Sequence, residues 1–456
     1  MFSLNKPYHL LFFLGLFFFP FNSFEGIKAL GEFKNESGAY FFLLGFILLF
    51  FQKKISLPLY NSVFKIILVF LGWCFLSTLL NFTNVENSYF KHTTGINRFI
   101  RQYISLLLSG IVFFLFYYNV LIKMEIKEIL YKIRTVFLYS LFTASIVGFF
   151  EVLAGYYGIS LARYAFYVLD YFPFFEKRLI GDRISSIADE PPFFAVYLIT
   201  ISGWMFSYML TNKGILKYLP TILILVLTFY SGSRTALIVI FIQVIIFFLT
   251  TVSKEKIIKN TIRATVVFSF LTVCIFIFNG DKIINAFEEK IDSLDFRSNL
   301  TKNISNQSRF GMQYAALQVF LEHPIIGVGY GQQTYYSRFH YPAWAVKNNY
   351  EFKEAYKNPA VKAFPPSYNM YTRILSELGL VGISIFIFLI YFSIKKIKFL
   401  IKNKSGEKQV LAIILLVGLS GLFINLLQID TFRLYGLWLY LAILTVLTNK
   451  QENAYE

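Results

Sequence analysis

Apolar runs close to membrane-spanning length recur along the whole chain, separated by polar connections. The pattern predicts membrane-crossing helices over roughly residues 8–24, 37–51, 62–82, 102–121, 135–155, 191–211, 215–230, 234–252, 262–279, 378–394, 409–427 and 431–448. The fold class that follows is all-α, a polytopic membrane protein with about 12 transmembrane helices. Most connections are short, but 156–190 and 280–377 are long. The chain therefore divides into helices one to nine (residues 1–279), one large extracytoplasmic loop (residues 280–377) and helices ten to twelve (residues 378–456). Loops of that size are usually functional. The first run, with Lys6 ahead of an apolar stretch to Phe19, has the outline of a secretory signal peptide. It lacks a small-x-small cleavage site before Glu25, so a retained helix is expected.

Composition narrows the class further. Of 456 residues 56% are hydrophobic and only 15% charged, where a soluble domain averages about 25% charged. That excludes a soluble enzyme. Cys74 and Cys274 lie in separate apolar runs, which gives neither a disulfide framework nor a Cys/His metal cluster. The net charge of +17 raises a nucleic-acid partner, and its placement removes it. With a cytoplasmic N-terminus, the inner side holds 21 of the 43 Lys and Arg residues but only 6 of the 26 Asp and Glu. Lys53, Lys54, the run 123–134, Lys213, Lys217, the run 254–263 and the block from Lys395 to Lys408 all fall there. This is the positive-inside rule at work, so the basicity reports orientation in a cytoplasmic membrane. The partner it implies is the bilayer.

The remaining charges collect at the outer ends of the spans, as Arg183, Glu190, Arg234, Arg309, Arg373, Asp430 and Arg433. An ion-coupled carrier needs charges near the midplane. Here the chemistry is expected at the outer membrane–water boundary instead.

Four segments carry it. In Ser231-Gly232-Ser233-Arg234-Thr235, Ser233 is placed to cap a helix whose first turn holds Arg234. A cation there opposes the helix dipole unless it shares an anion with the free amides, or unless it snorkels to lipid headgroups. Both readings stay open. In Ser308-Arg309-Phe310, Ser308 is the expected cap of an amphipathic helix with Phe310, Tyr314, Leu317 and Leu321 on one face, ending near His323-Pro324. The glycine-rich stretch after Pro324 lacks the Lys-Ser/Thr of a phosphate loop and reads as a tight turn. In Pro365-Pro366-Ser367-Tyr368-Asn369, either Ser367 or Asn369 can cap the helix that carries Arg373, leaving Tyr368 and Asn369 toward an outer cavity. Arg183 precedes Glu190-Pro191, where Glu190 is either a helix-start carboxylate or a general base buried at the membrane edge. The loop aromatics Tyr335, Tyr336 and Trp344 either pack the loop or stack on sugar faces.

Taken in order, Ser233-Arg234-Thr235-Ala236-Leu237, Arg309 with His323-Pro324-x-x-Gly327-x-Gly329, and Asn369 with Glu377-Leu378-Gly379-Leu380-x-Gly382 resemble the O-antigen ligase/polymerase superfamily. The resemblance covers roughly residues 180–395. It implies a glycosyltransferase that moves glycans from undecaprenyl diphosphate with no metal, cofactor or nucleotide sugar. It also implies that Arg234 and Arg309 bind the donor diphosphate; Arg183, Asn369 and Arg373 are further substrate-binding candidates at the same outer boundary. Ligases carry a His where this chain has Tyr368, and the Glu190-Pro191 entry is similar to that of polysaccharide polymerases. The expectation is therefore a repeat-unit polymerase with Glu190 and Tyr368 as catalytic candidates, working beside a flippase and a chain-length regulator. A ligase for lipid A core or protein, a lipid-linked oligosaccharide exporter and a non-catalytic scaffold are the rival expectations.

Overall fold

The computed structural model describes residues 7–169, 171–172, 183–252 and 303–452, with side chains up to residue 449. The expected span at 262–279 and part of each long loop lie outside the described residues. Eleven apolar helices lie at the positions of the other expected spans. They are α1 (Pro7–Phe17), α2 (Ser37–Phe51), α3 (Ser62–Leu80), α4 (Gly95–Leu121), α5 (Ile126–Gly155), α6 (Pro191–Phe206), α7 (Leu219–Tyr230), α8 (Arg234–Thr251), α10 (Met370–Asn403), α11 (Gly406–Asn425) and α12 (Tyr435–Glu452). Between α8 and α10 stands α9 (Ile304–Glu322). Seven of the described helices, α3, α4, α5, α6 (continued to Thr211), α8, α10 and α11, are long and apolar enough to cross a membrane. The protein is mostly helical and membrane-embedded; the described strands are a two-residue ribbon pairing Tyr89–Phe90 with Thr93–Thr94.

The apolar helices sort by how much of their surface the bundle covers. α6, α11 and α12 form its centre, around the stacked rings of Trp204 and Tyr440. α3, α8 and α10 keep one apolar side outward, with Leu79, Phe241 and Phe388 exposed, as lipid-facing helices do. One polar side chain fixes their register. Gln243 on α8 donates from Nε2 to the carbonyls of Ile199 on α6 and Val417 on α11, both at 3.0 Å. A hydrogen bond in an apolar interior is costly to leave unmade, so this clamp holds α8 in place.

The two ends of the bundle differ as the charges predict. At one end the basic connections meet: Asn61 donates to Thr448 and Asn449, and Arg134 donates to Thr211 and Asn212. At the other, Arg433 pairs with Glu32 and Glu36, Tyr330 donates its amide to Thr78, and Ser367 donates its amide to Asp430. All the candidate site residues lie at this second end.

Two of the sequence motifs turn out to be one interlocked joint. α10 starts at Met370, eight residues earlier than its apolar run suggests, and breaks at Gly379, where φ is 65° and ψ is −163°. The loop after Pro324 inserts into the break: the amides of Val328 and Gly329 donate to the carbonyls of Ser376 and Glu377, and Leu380 donates back to Pro324. α3 seals the other side, with Trp73 Nε1 donating to the Leu378 carbonyl and Ser77 Oγ to that of Ile326. A Cβ on Gly327 would lie 2.3 Å from the Glu377 carbonyl carbon, and one on Gly379 would lie 2.2 Å from the Ile325 oxygen. Backbone meets backbone here, and only glycine leaves room.

One expectation about α9 is corrected. Its cap is Asn303, which accepts the Asn306 amide at 3.2 Å, rather than Ser308. Arg309 therefore sits in the second turn, away from the helix terminus. The stripe through Tyr314, Leu317 and Leu321 is the exposed face, while Gly311, Ala315, Ala316 and Val319 are buried. Small residues win the inner face because Gly311 lies against Ala345, where a Cβ would come within 2.5 Å of that side chain. At a membrane boundary a hydrophobic stripe does not by itself mark the inside.

Candidate active site

The first part of the site is the turn between α7 and α8. Ser233 caps α8 by accepting the Ala236 amide at 3.3 Å, and Arg234 is the first residue of the helix. No hydrogen bond or ion pair engages the Arg234 guanidinium among the described residues. Arg183 reaches the same turn from the segment ahead of α6. Its Nε donates to the Ser231 carbonyl at 3.4 Å, and its stem lies across Gly232, where a Cβ would sit 2.8 Å from Arg183 Cγ. The Ile184 amide donates to the Tyr230 carbonyl and holds the two segments together. Arg183 and Arg234 thus flank one turn. Glu190 is the N-cap residue of α6, yet its side chain makes no capping hydrogen bond and stands exposed. The burial on which its general-base reading rested is not there.

The second part gathers around Arg309. Its guanidinium lies 5.2 Å over the Tyr368 ring, and Nη1 donates to Gln428 Oε1 at 3.4 Å. Its Nε is buried without an acceptor. Tyr368 has φ 55°, a left-handed conformation that costs a residue with a bulky side chain and persists only where its surroundings enforce it. Asn369 supplies part of that enforcement. It caps α10, with Oδ1 accepting from Tyr371 and Thr372, while Nδ2 donates to Gln313.

Tyr368 does not stand alone. Its hydroxyl is 2.7 Å from that of Tyr356, and Tyr356 donates to Glu351 Oε2 at 3.3 Å. A phenol has one hydrogen to give. Tyr356 spends its own on Glu351, so the hydrogen between the tyrosines belongs to Tyr368. The Tyr368 oxygen is left with a lone pair for an incoming hydroxyl. Burial pushes the Tyr368 phenol above its ordinary value, outweighing the Tyr356 hydrogen bond and the Arg309 charge. As an isolated base it is weak; as the first member of a relay it needs no ionisation.

Arg373 is the opposite of Arg234. It is buried, with Nε on Glu377 Oε1 at 3.2 Å, Nη1 on the Asp430 carbonyl at 2.6 Å and Nη2 on Gln102 Oε1 at 3.0 Å. Every nitrogen is spent within the protein. Of the loop aromatics, Tyr335 is buried with its hydroxyl on the Thr93 carbonyl, Tyr336 packs edge-on against His323, and Trp344 is exposed. Among the described residues no group of three His, Cys, Asp or Glu could hold a metal ion.

Helix register relates the two parts. Arg234 lies about 14 Å along α8 from Gln243, and Asn425 about 12 Å along the antiparallel α11 from Val417. The Arg234 turn and the Gln428 that holds Arg309 therefore share one level, near the end of α11.

Residues 219–387 match a family model described as O-antigen ligase. That match supports placing this stretch in the O-antigen ligase/polymerase superfamily. The superfamily match takes in Arg234, Arg309, the interlocked joint, Tyr368, Asn369 and Arg373, and leaves Arg183 and Glu190 outside. No curated protein matches the sequence.

Sequence reasoning missed Glu351 and Tyr356, which lie in a loop without apolar periodicity and announce themselves only through their contact with Tyr368. It also missed Arg98 and Arg101. Their signal was legible: Arg98, Arg101, Gln102 and Ser105 fall at i, i+3, i+4 and i+7, one polar face of α4. Starting that helix at 102 hid the pattern, whereas it starts at Gly95.

Proposed function

We propose that this protein is a metal-independent glycosyltransferase that polymerises undecaprenyl-diphosphate-linked repeat units into O-antigen, capsule or exopolysaccharide. In this reading about twelve helices sit in the bacterial cytoplasmic membrane, with the Arg234/Arg309 end on the extracytoplasmic face. The observation that carries it is the pair of arginines with unspent donors at one level of the bundle: Arg234, and Arg309 with its unpaired buried Nε. A diphosphate has the charge and the acceptor oxygens to satisfy both, aided by the amides at the start of α8.

The reaction follows from these positions. The acceptor hydroxyl of one lipid-linked unit attacks the anomeric carbon of another. The bond from that carbon to the diphosphate oxygen breaks, and its electron pair leaves with the diphosphate, where Arg234 and Arg309 stabilise the growing charge. The hydroxyl proton passes to Tyr368 as the Tyr368 proton passes to Tyr356 and that of Tyr356 to Glu351. Displacement without a covalent intermediate inverts the anomer. Arg183 braces the Arg234 turn, and Asn369 and Arg373 hold the start of α10. Glu190, exposed at the entry to α6, is the competing base. A flippase that delivers the units and a chain-length regulator are the partners this chemistry needs.

The family description as O-antigen ligase favours a second reading, transfer of the finished glycan to lipid A core or protein. The surface-glycan ladder decides. In a deletion strain complemented by this chain, a polymerase restores long chains where the deletion shows single units. A ligase restores anchored glycan where the deletion accumulates long lipid-linked chains. An unchanged ladder in the deletion strain overturns both.

A further inference from the structure

A cavity of about 260 Å³ opens beside α4, with the 362–366 segment forming part of its wall. Its acidic wall residues are committed elsewhere. Glu32 pairs with Arg433, Glu377 pairs with Arg373, and Asp430 accepts the Ser367 amide. Of its basic wall residues, Arg373 and Arg433 are spent in those pairs, whereas Arg98, Arg101 and Lys362 are not. Arg101 and Lys362 are exposed and have no acidic partner among the described residues. Arg98 is held flat, its guanidinium 3.7 Å over the Phe364 ring and its Nε donating to the Gly331 carbonyl at 2.8 Å, with its terminal nitrogens left over. Lys91 fixes the wall itself, since its buried ammonium donates to the carbonyls of Ala355 and Ala363. Three cations thus converge on a preformed cavity with no counter-charge of their own. Gln333 adds an amide for hydroxyl groups.

We propose that this cavity is a subsite for one acidic sugar unit of the acceptor glycan, its carboxylate or phosphate held by Arg98, Arg101 and Lys362. The anion chemistry stands on the cavity alone; that the sugar belongs to the acceptor rests on the proposed function. Pro365 and Pro366 line the cavity, and Tyr368 follows two residues later, so the wall of the cavity leads along the chain into the relay. An arginine fork suits either anion, and the small volume fits a single ring rather than a whole repeat unit.

The test is calorimetry on the purified full-length protein in uncharged detergent, with glucuronic acid, glucose 6-phosphate, glucose and inorganic phosphate as probes. Either acidic sugar should bind at least about ten-fold tighter than glucose, and Arg101→Ala/Lys362→Ala should weaken it about ten-fold or more. Arg101→Gln/Lys362→Gln, which keeps the side-chain bulk, should show the same loss. Unchanged affinity in both double variants overturns the subsite. So does inorganic phosphate binding as tightly as the acidic sugars, or displacement of them by phosphatidylglycerol nanodiscs, each of which assigns the charge to a free anion or a lipid headgroup. Arg234→Ala/Arg309→Ala separates the two proposals. A normal glycan ladder in that variant overturns the proposed function and leaves the binding result standing. Its loss, with sugar affinity unchanged by the cavity substitutions, overturns the subsite alone.

Discussion

Arg373 and Arg309 stand on facing elements at the same end of the bundle, and they are used in opposite ways. Arg373 spends every nitrogen on Glu377, Asp430 and Gln102, and is a strut. Arg309 keeps a buried Nε with no acceptor and rests its charge on the Tyr368 ring. In the sequence both are arginines near the outer end of a helix. The difference lies in the neighbours, and it separates a residue that holds the site from one with capacity left for a ligand.

The strut should show the largest effect. Arg373→Ala leaves Glu377 charged and buried without its partner, which typically costs about 3–5 kcal/mol. We expect a fall in protein level in membranes and a lower Tm in detergent. Arg373→Ala at wild-type level and Tm would erase the comparison.

The ligand-facing side predicts the reverse. Arg309→Ala and Arg234→Ala should keep wild-type level and Tm while lowering transfer by about 10²–10³-fold, the usual cost of losing one donor to a developing charge. Single-turnover assay with a lipid-diphosphate donor in proteoliposomes measures it. Arg309→Ala that unfolds the protein while transferring normally per folded molecule would make Arg309 a second strut.

The relay sharpens the comparison further, because it assigns Tyr368 to the ligand side. Glu351→Gln should lower transfer by about 10²-fold, in the range of a lost general base, with donor binding unchanged. Glu190→Gln serves as the contrast. If Glu190→Gln abolishes transfer and Glu351→Gln does not, the base stands at the entry to α6.

Much of this arrangement was legible in the chain. The apolar runs located the spans because a segment in lipid must satisfy its own backbone, and that leaves a long signature. Ser233 was legible as a cap, and Asn369 as one of two candidates beside Ser367, since a side-chain oxygen one residue ahead of a helix has few other uses there. The interlocked joint was not. Gly327 and Gly379 are some fifty residues apart, and only their mutual contact shows why neither tolerates a Cβ. The burying face of α9 was not legible for a related reason: periodicity shows that a helix has two faces, and the neighbours decide which one turns inward. Glu351 and Tyr356 carry no signal before the loop folds over Tyr368.

The smallest expected effect is a flat line. The Tyr368 phenol is raised by burial, and that of Tyr356 is raised by burial, by the hydrogen bond to Tyr368 and by the Glu351 charge. A phenol with a raised pKa keeps its proton to higher pH, so both tyrosines stay neutral past the ordinary tyrosine value of about 10. Catalysis by a tyrosinate would speed up with each pH unit as that form became populated. The relay passes a proton through neutral phenols, and so no tyrosine-dependent acceleration should appear from about pH 8 to about pH 10. Initial rates in proteoliposomes over that range, compared between wild type and Tyr356→Phe, measure it. A ten-fold rise per pH unit in wild type that Tyr356→Phe leaves in place would mean that Tyr368 ionises alone, and the path to Glu351 would have no part in the reaction.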